Sequence, residues 1–132
     1  MAARRLSFSD AALPPSTEEI RGRIRQHLAD ELAAGRYTPR CDTWLSGHDP
    51  DFSKRLGAAG FLGLTWPKQY GGHERTHLER YVVIEEMLAH HAPTRAYSTA
   101  DRQSGPMILR YGQEEIRRTI LPRISRWPNL YS

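Results

Sequence analysis

Ile20, Ile24, Leu28 and Leu32 recur every four residues, while Arg21, Arg23, Arg25 and Glu31 take the other faces. That is the period of a helix with one buried stripe. Ser16-Thr17-Glu18-Glu19 has the letters of a capping box, and Gly35 is placed as a left-handed stop, so a helix is predicted over 17–34. Asp49-Pro50 pairs an N-cap with a proline at the first helical position, and Phe52, Leu56 and Ala59 follow at helical spacing up to Gly60. Gly57-Ala58-Ala59 leaves so little side chain that a second backbone is expected close by. Residues 61–72 are apolar without a clean period and end in Tyr70-Gly71-Gly72, which predicts a buried connection. A second capping box, Thr76-His77-Leu78-Glu79, opens a helix over 77–91 whose apolar residues Leu78, Tyr81, Val82, Ile84, Met87 and Leu88 cover most of its circumference. It is expected to be the central helix, buried on more than one side. Ser98 or Thr99 is placed to cap a fourth helix carrying Gln103, Met107, Ile108 and Leu109, with Gly105-Pro106 kinking or splitting it. A last helix over 113–125 has Glu114 and Glu115 at its start, Arg123 and Arg126 at its end, and Ile116, Ile120, Leu121 and Ile124 as its apolar set.

Composition agrees. Valine and isoleucine number nine against twenty-six leucines and alanines, a balance that favours helix over sheet. The expected fold class is all-α, an irregular antiparallel bundle of about five helices spanning 16–126. Residues 1–15 are read as an extended lead-in and 127–132 as a divergent tail. The chain has one cysteine, Cys41, so an intramolecular disulfide and a cysteine-built zinc site are both excluded. No apolar run is long enough to span a bilayer and the N-terminus has no signal-peptide core, so a cytoplasmic protein is expected.

The net charge of +4 comes almost wholly from arginine, since Lys54 and Lys68 are the only lysines. Its densest patch, Arg110, Arg117, Arg118, Arg123 and Arg126, is offset by Glu114 and Glu115. A solvated or intersubunit salt-bridge face therefore outweighs a nucleic-acid footprint. His73-Glu74-Arg75-Thr76-His77 spells H-E-x-x-H, the letters of a zinc hydrolase site. Against it, Gly71-Gly72 breaks helix just upstream, Thr76 reads as an N-cap between the two histidines, and Arg75 puts a cation beside the metal. A third ligand would have to be Glu85, His90, His91 or Asp101, and surface histidines flanking a turn are the plainer reading. His90-His91 reads as a favourable helix terminus and Cys41 as a lone loop thiol. Neither a serine-nucleophile elbow nor a glycine-rich phosphate loop is present.

Five segments then occur in a telling order. They are Leu56-Gly57-Ala58-Ala59-Gly60-Phe61-Leu62-Gly63-Leu64; Trp66-Pro67-Lys68-Gln69-Tyr70-Gly71-Gly72; Val83-Ile84-Glu85-Glu86; Gly105-Pro106-Met107-Ile108-Leu109-Arg110-Tyr111-Gly112; and Gln113 through Ile124. Together, Phe52 to Ser125 resembles the N-terminal helical domain of the acyl-CoA dehydrogenases. The resemblance implies a longer subunit, in which this domain precedes a β-domain and a C-terminal helical bundle. It also implies oxidation of an acyl-CoA thioester between its α and β carbons, with a carboxylate base taking the α proton and hydride passing to FAD. The base and most flavin contacts belong to the parts that follow, so this chain alone is expected to be inactive and not to retain FAD.

What the resemblance assigns to this segment is one wall of the acyl pocket. By position in the family, the helix from Thr99 to Leu109 would turn Thr99, Gln103 and Met107 toward the acyl chain; the plainer reading is that Met107 is core. It likewise moves His73 to His77 into a variable stretch after the family's turn, and implies homo- or hetero-oligomers of dehydrogenase subunits. The alternative is a non-catalytic helical module that pairs with a dehydrogenase subunit; a zinc hydrolase using His73 and His77 is the remote one. After Arg126 the likeness stops at Trp127-Pro128-Asn129-Leu130-Tyr131-Ser132, so a truncated or frame-shifted product is expected.

Overall fold

The computed structural model describes residues 12–46 and 48–126; most of the expected lead-in and all of the 127–132 tail lie outside them. Within the described residues every regular element is helical. They are α1 (Pro15–Ala33), α2 (Pro50–Ala58), a 3-10 turn (Lys68–Tyr70), α3 (His77–Ala89), α4 (Arg95–Tyr97), a π-helix (Ser98–Ser104), α5 (Gly105–Tyr111) and α6 (Glu114–Arg126). Since α4, the π-helix and α5 run on without a break, the described residues form five helical runs besides the 3-10 turn. No described helix is long and apolar enough to cross a membrane.

α1 starts earlier than its letters predict. Pro15 occupies the first helical position after Pro14, so Ser16 lies inside the helix and no side chain caps it; the Thr17 hydroxyl instead donates to the Pro14 carbonyl. The apolar stripe also bends. Ile20, Ile24 and Leu28 are fully buried, but the next inward position is Glu31, while Leu32 is 45% exposed. Steps of four outrun a 3.6-residue turn, so after three turns the inner face has moved back by one residue. Glu31 is kept there by Arg55 Nε at 2.6 Å and Arg36 at 3.0 Å.

α1 packs chiefly on α3. The Thr76 capping box forms in full, with the hydroxyl accepting from the Glu79 amide while the Glu79 carboxylate accepts from the Thr76 amide. Val82, Val83 and Met87 are completely buried, and Glu86 receives Arg21 at 2.5 Å and Arg25 at 2.8 Å from α1. α3 is nevertheless not enclosed all round: Leu78, Tyr81 and Leu88 are exposed. They form a second apolar stripe that no described element covers.

α2 begins as its sequence predicts, the Asp49 carboxylate accepting from Phe52 N–H. It ends through Gly60 at φ +82, with Gly60 N–H donating to Gly57 O and Phe61 N–H to Leu56 O. The expected close approach is real: a Cβ on Gly57 would lie 2.9 Å from the Ser125 carbonyl of α6. Residues 61–72 form the buried connection, with Phe61, Leu62, Leu64, Trp66 and Tyr70 in the core. Trp66 is its plug. A Cβ on Gly105 would sit 1.9 Å from Trp66 Cζ2, so the indole lies directly on the backbone of the 95–111 run.

Candidate functional site

The run from Arg95 to Tyr111 carries the residues expected to line an acyl chain. Its local geometry follows from Pro106. A proline inside a helix offers no N–H and crowds the carbonyl four residues back. The turn upstream is widened instead of broken: Gly105 N–H donates to Ala100 O, a bond across five residues, and Pro106 then enters α5 as it would enter any first helical turn. The kink or split expected at Gly105-Pro106 is thus a π segment, and neither Ser98 nor Thr99 caps the run, which begins at Arg95.

One side of this run is buried and one is open. Tyr97, Ser98, Ala100, Asp101 and Gly105 are buried against the connection and its neighbours. Thr99, Gln103 and Met107 are exposed, Met107 by 58%, so Met107 is not a core residue. A step of four is close to one turn in this geometry, so the three fall along one side of the run. Tyr111 continues the exposed surface, and Arg102 turns away to stack over Trp44 at 4.5 Å.

Behind the open side lies a polar cluster. Asp101 is 1% exposed; its Oδ1 accepts from Gly63 N–H, and its Oδ2 has no hydrogen-bond partner. The Tyr97 hydroxyl and Trp66 Nε1 are also buried without partners. Burial pushes the Asp101 carboxyl up to about 6, against the opposing effects of the Gly63 amide, Arg80 on α3 and the Tyr97 hydroxyl. Burial and the neighbouring Asp101 raise the Tyr97 phenol well above its ordinary range. In sequence Asp101 stood out only as a possible third metal ligand. The signal that could have placed it is its spacing: Tyr97, Asp101 and Gly105 are four apart, on the side opposite Thr99, Gln103 and Met107.

The structure does not give His73 and His77 the shared helical face that H-E-x-x-H needs. Thr76 is the N-cap, His77 is the first residue of α3, and Glu74 has a left-handed φ of +53. Burial, then Arg75 and Arg23, lower the His73 pKa. Glu74 pairs with Lys68. Among the described residues no group of three or more histidines, cysteines and carboxylates could hold a metal ion. His90 caps α3 with Nδ1 2.8 Å from the Glu86 carbonyl, His91 follows with φ +52, and Cys41 is exposed. The arginines of α6 are partly neutralised: Arg118 and Arg117 both meet Glu114, which also accepts from the Tyr70 hydroxyl at 2.7 Å. His77, Arg80, Tyr81, Ile84, Leu88 and Arg102 border a groove of about 370 Å³ between α3 and the π segment.

The family model for the acyl-CoA dehydrogenase N-terminal domain matches residues 14–127. Acyl-CoA dehydrogenase IpdE1 of Mycobacterium tuberculosis is 30% identical over 114 residues, 81% of this chain and 29% of that protein. FadE26 of the same organism is 28% identical over 84% of this chain and 28% of its own length. Among solved structures, the steroid acyl-CoA dehydrogenase Tcur3481-Tcur3483 superposes with a TM-score of 0.72 at 31% identity, covering 89% of this chain and 30% of that one. The ChsE4-ChsE5 complex of M. tuberculosis gives 0.69 at 29% identity, over 89% of this chain and 29% of that one. The chain therefore spans less than a third of the length of these relatives. The match over residues 14–127 and the superposition on these structures agree: the chain belongs to the acyl-CoA dehydrogenase family and corresponds to its N-terminal helical domain.

Proposed function

We propose that this chain supplies one wall of the acyl pocket of an FAD-dependent acyl-CoA dehydrogenase, in the cytoplasm, and is inactive by itself. The observation that carries the reading is the two-sided 95–111 run, fixed inwardly by Trp66 and Asp101 and open along Thr99, Gln103 and Met107. Methionine and polar side chains along one helical side suit a flexible acyl chain, because the unbranched thioether adapts its shape to the ligand.

On this reading the flavin is held mainly by the domains that follow this one in the family. In α2, the α2–α3 connection and the 95–111 run, Gly57 closes on Ser125, Gly71 on Ser125 and Pro122, and Gly72 and Gly105 on Trp66, so these glycines leave no room for a diphosphate, while Gly22 and Gly35 stand open on and just after α1. The chain by itself is therefore expected to bind no flavin. Titration with FAD checks this; stoichiometric binding, with bleaching of the flavin on adding an acyl-CoA, would overturn the inactivity. For the wall, a photoreactive acyl-CoA is added to the chain reconstituted with a catalytic dehydrogenase subunit. Labelling between Thr99 and Met107 supports the assignment, and labelling of the catalytic subunit alone sinks it.

A second reading, a non-catalytic module that docks on a dehydrogenase subunit in homo- or hetero-oligomers, is favoured by the uncovered Leu78, Tyr81 and Leu88 of α3. Two-subunit composition in the ChsE4-ChsE5 relative points the same way.

A further inference from the structure

The lining role proposed for the 95–111 run leaves Asp101 unused, although among the described residues it is the most deeply buried acid that lacks an ion pair. Every buried glutamate among the described residues is met by arginine: Glu31 by Arg36 and Arg55, Glu79 by Arg75, Glu86 by Arg21 and Arg25. Asp101 is met by one amide, Gly63 N–H, and that contact ties the π segment to the 61–66 connection. Its second oxygen and the Tyr97 hydroxyl influence one another's ionisation without meeting hydrogen-bond geometry. The surroundings offer little counter-charge. Among the described residues the connection meets Asp101 through the Gly63 amide, Arg80 of α3 acts on it electrostatically, and the run's own Arg102 is turned out over Trp44.

We propose that Asp101 is a proton-operated latch on the acyl-wall helix. With its carboxyl neutral, the π segment stays closed on Gly63 and Trp66. When the carboxyl ionises, an unpaired charge stands in the core, and the segment opens locally to hydrate it. The irregular turn is the natural hinge, because a seven-residue π stretch departs from the better-bonded α geometry on both sides. Since Thr99 and Gln103 belong to that same segment, opening would reposition the face that lines the acyl chain; this last step rests on the pocket-wall reading, whereas the latch itself does not.

The direction follows from linkage. A carboxyl raised from 3.8 to about 6 holds its proton when closed and loses it when open, so closure is favoured at low pH and weakened as pH rises through about 6. The opening constant should rise about tenfold between pH ~5 and ~7.5. Amide exchange of the full chain, expressed as protection factors to remove the intrinsic pH dependence, should fall about tenfold at residues 98–105 and at Gly63 across that range. Amides at the α1–α3 seam should not follow. Asp101→Asn keeps an acceptor for Gly63 N–H and removes the charge, so its protection should be flat with pH. An equal fall in Asp101→Asn would overturn the latch. Independently, carboxyl-carbon NMR of the unaltered chain should show Asp101 titrating near 6; titration below about 4.5 would overturn it without any variant. Both measurements need no acyl ligand, so their failure is distinct from failure of the photolabelling.

Discussion

At the scale of single residues, the tightest constraint is a missing methyl group. Gly105→Ala places a Cβ 1.9 Å from Trp66 Cζ2, and the fully buried indole cannot retreat. Overpacking of this kind costs about 3 kcal/mol or more, so urea unfolding should show a large loss or no cooperative transition. Gly22 has nothing within 4 Å of its absent Cβ and lies inside α1, so Gly22→Ala should instead gain about 0.5–1 kcal/mol in the same assay. The charges make an equally directional case. Burial raises the Glu86 carboxyl, but the hydrogen bonds of Arg25 and Arg21 outweigh it and hold the pKa below the ordinary 4.5. A depressed carboxyl stabilises above its unfolded pKa and loses that contribution as pH falls through its folded one. Glu86→Gln should therefore cost about 2 kcal/mol near neutrality and flatten the acid limb of a stability–pH curve. Asp101→Asn should have the opposite signature, a relative gain that grows as pH rises through about 6.

At the scale of elements, two segments with nearly the same letters behave differently. Thr76-His77-Leu78-Glu79 forms its capping box, while Ser16-Thr17-Glu18-Glu19 does not, because the prolines at 14 and 15 start α1 two residues earlier. Thr76→Ala should cost about 1 kcal/mol and Ser16→Ala within about 0.5 kcal/mol of nothing; comparable losses from both would contradict the assigned caps. The contrast marks what periodicity can carry. Helix existence, the Asp49 cap, the Gly60 stop and the close approach at Gly57 are local consequences of residue type and spacing, so they were legible. Replacement of Leu32 by Glu31 on the inner face was not, because it depends on Arg36 and Arg55 arriving from elsewhere in the chain. The π segment was visible only as a conflict at Gly105-Pro106, and its resolution needed Trp66 pressing on Gly105 and Asp101 reaching Gly63. For the same reason Thr99, Gln103 and Met107 could be put on a helix, and their exposure on one side emerged only with the fold.

At the scale of the whole molecule, the distribution of apolar surface decides how the chain behaves in solution. α3 offers enough apolar residues for two faces, but α1 and the core take only one, leaving Leu78 45%, Tyr81 55% and Leu88 40% exposed. Met107, Tyr111 and Ile116 add a second open region on α5 and α6. Contiguous apolar surface of this sort is covered in a working assembly or else finds other partners. Alone, the chain should bind a hydrophobic dye and self-associate with rising concentration, as read by sedimentation velocity. The α3 stripe can be tested without harming the fold, because its ends tolerate charge of opposite sign. Leu78 lies in the first turn of α3, where an acid is favoured, and Leu88 in the last, where a base is favoured. The double substitution Leu78→Glu and Leu88→Lys should hold stability within about 1 kcal/mol and shift the chain to monomer. The same pair should weaken capture by a dehydrogenase subunit if that subunit sits on α3, and leave it intact if docking uses the Met107 side. A wild-type chain that stays monomeric at high concentration and binds no dye would show both faces to be ordinary solvent-facing surface.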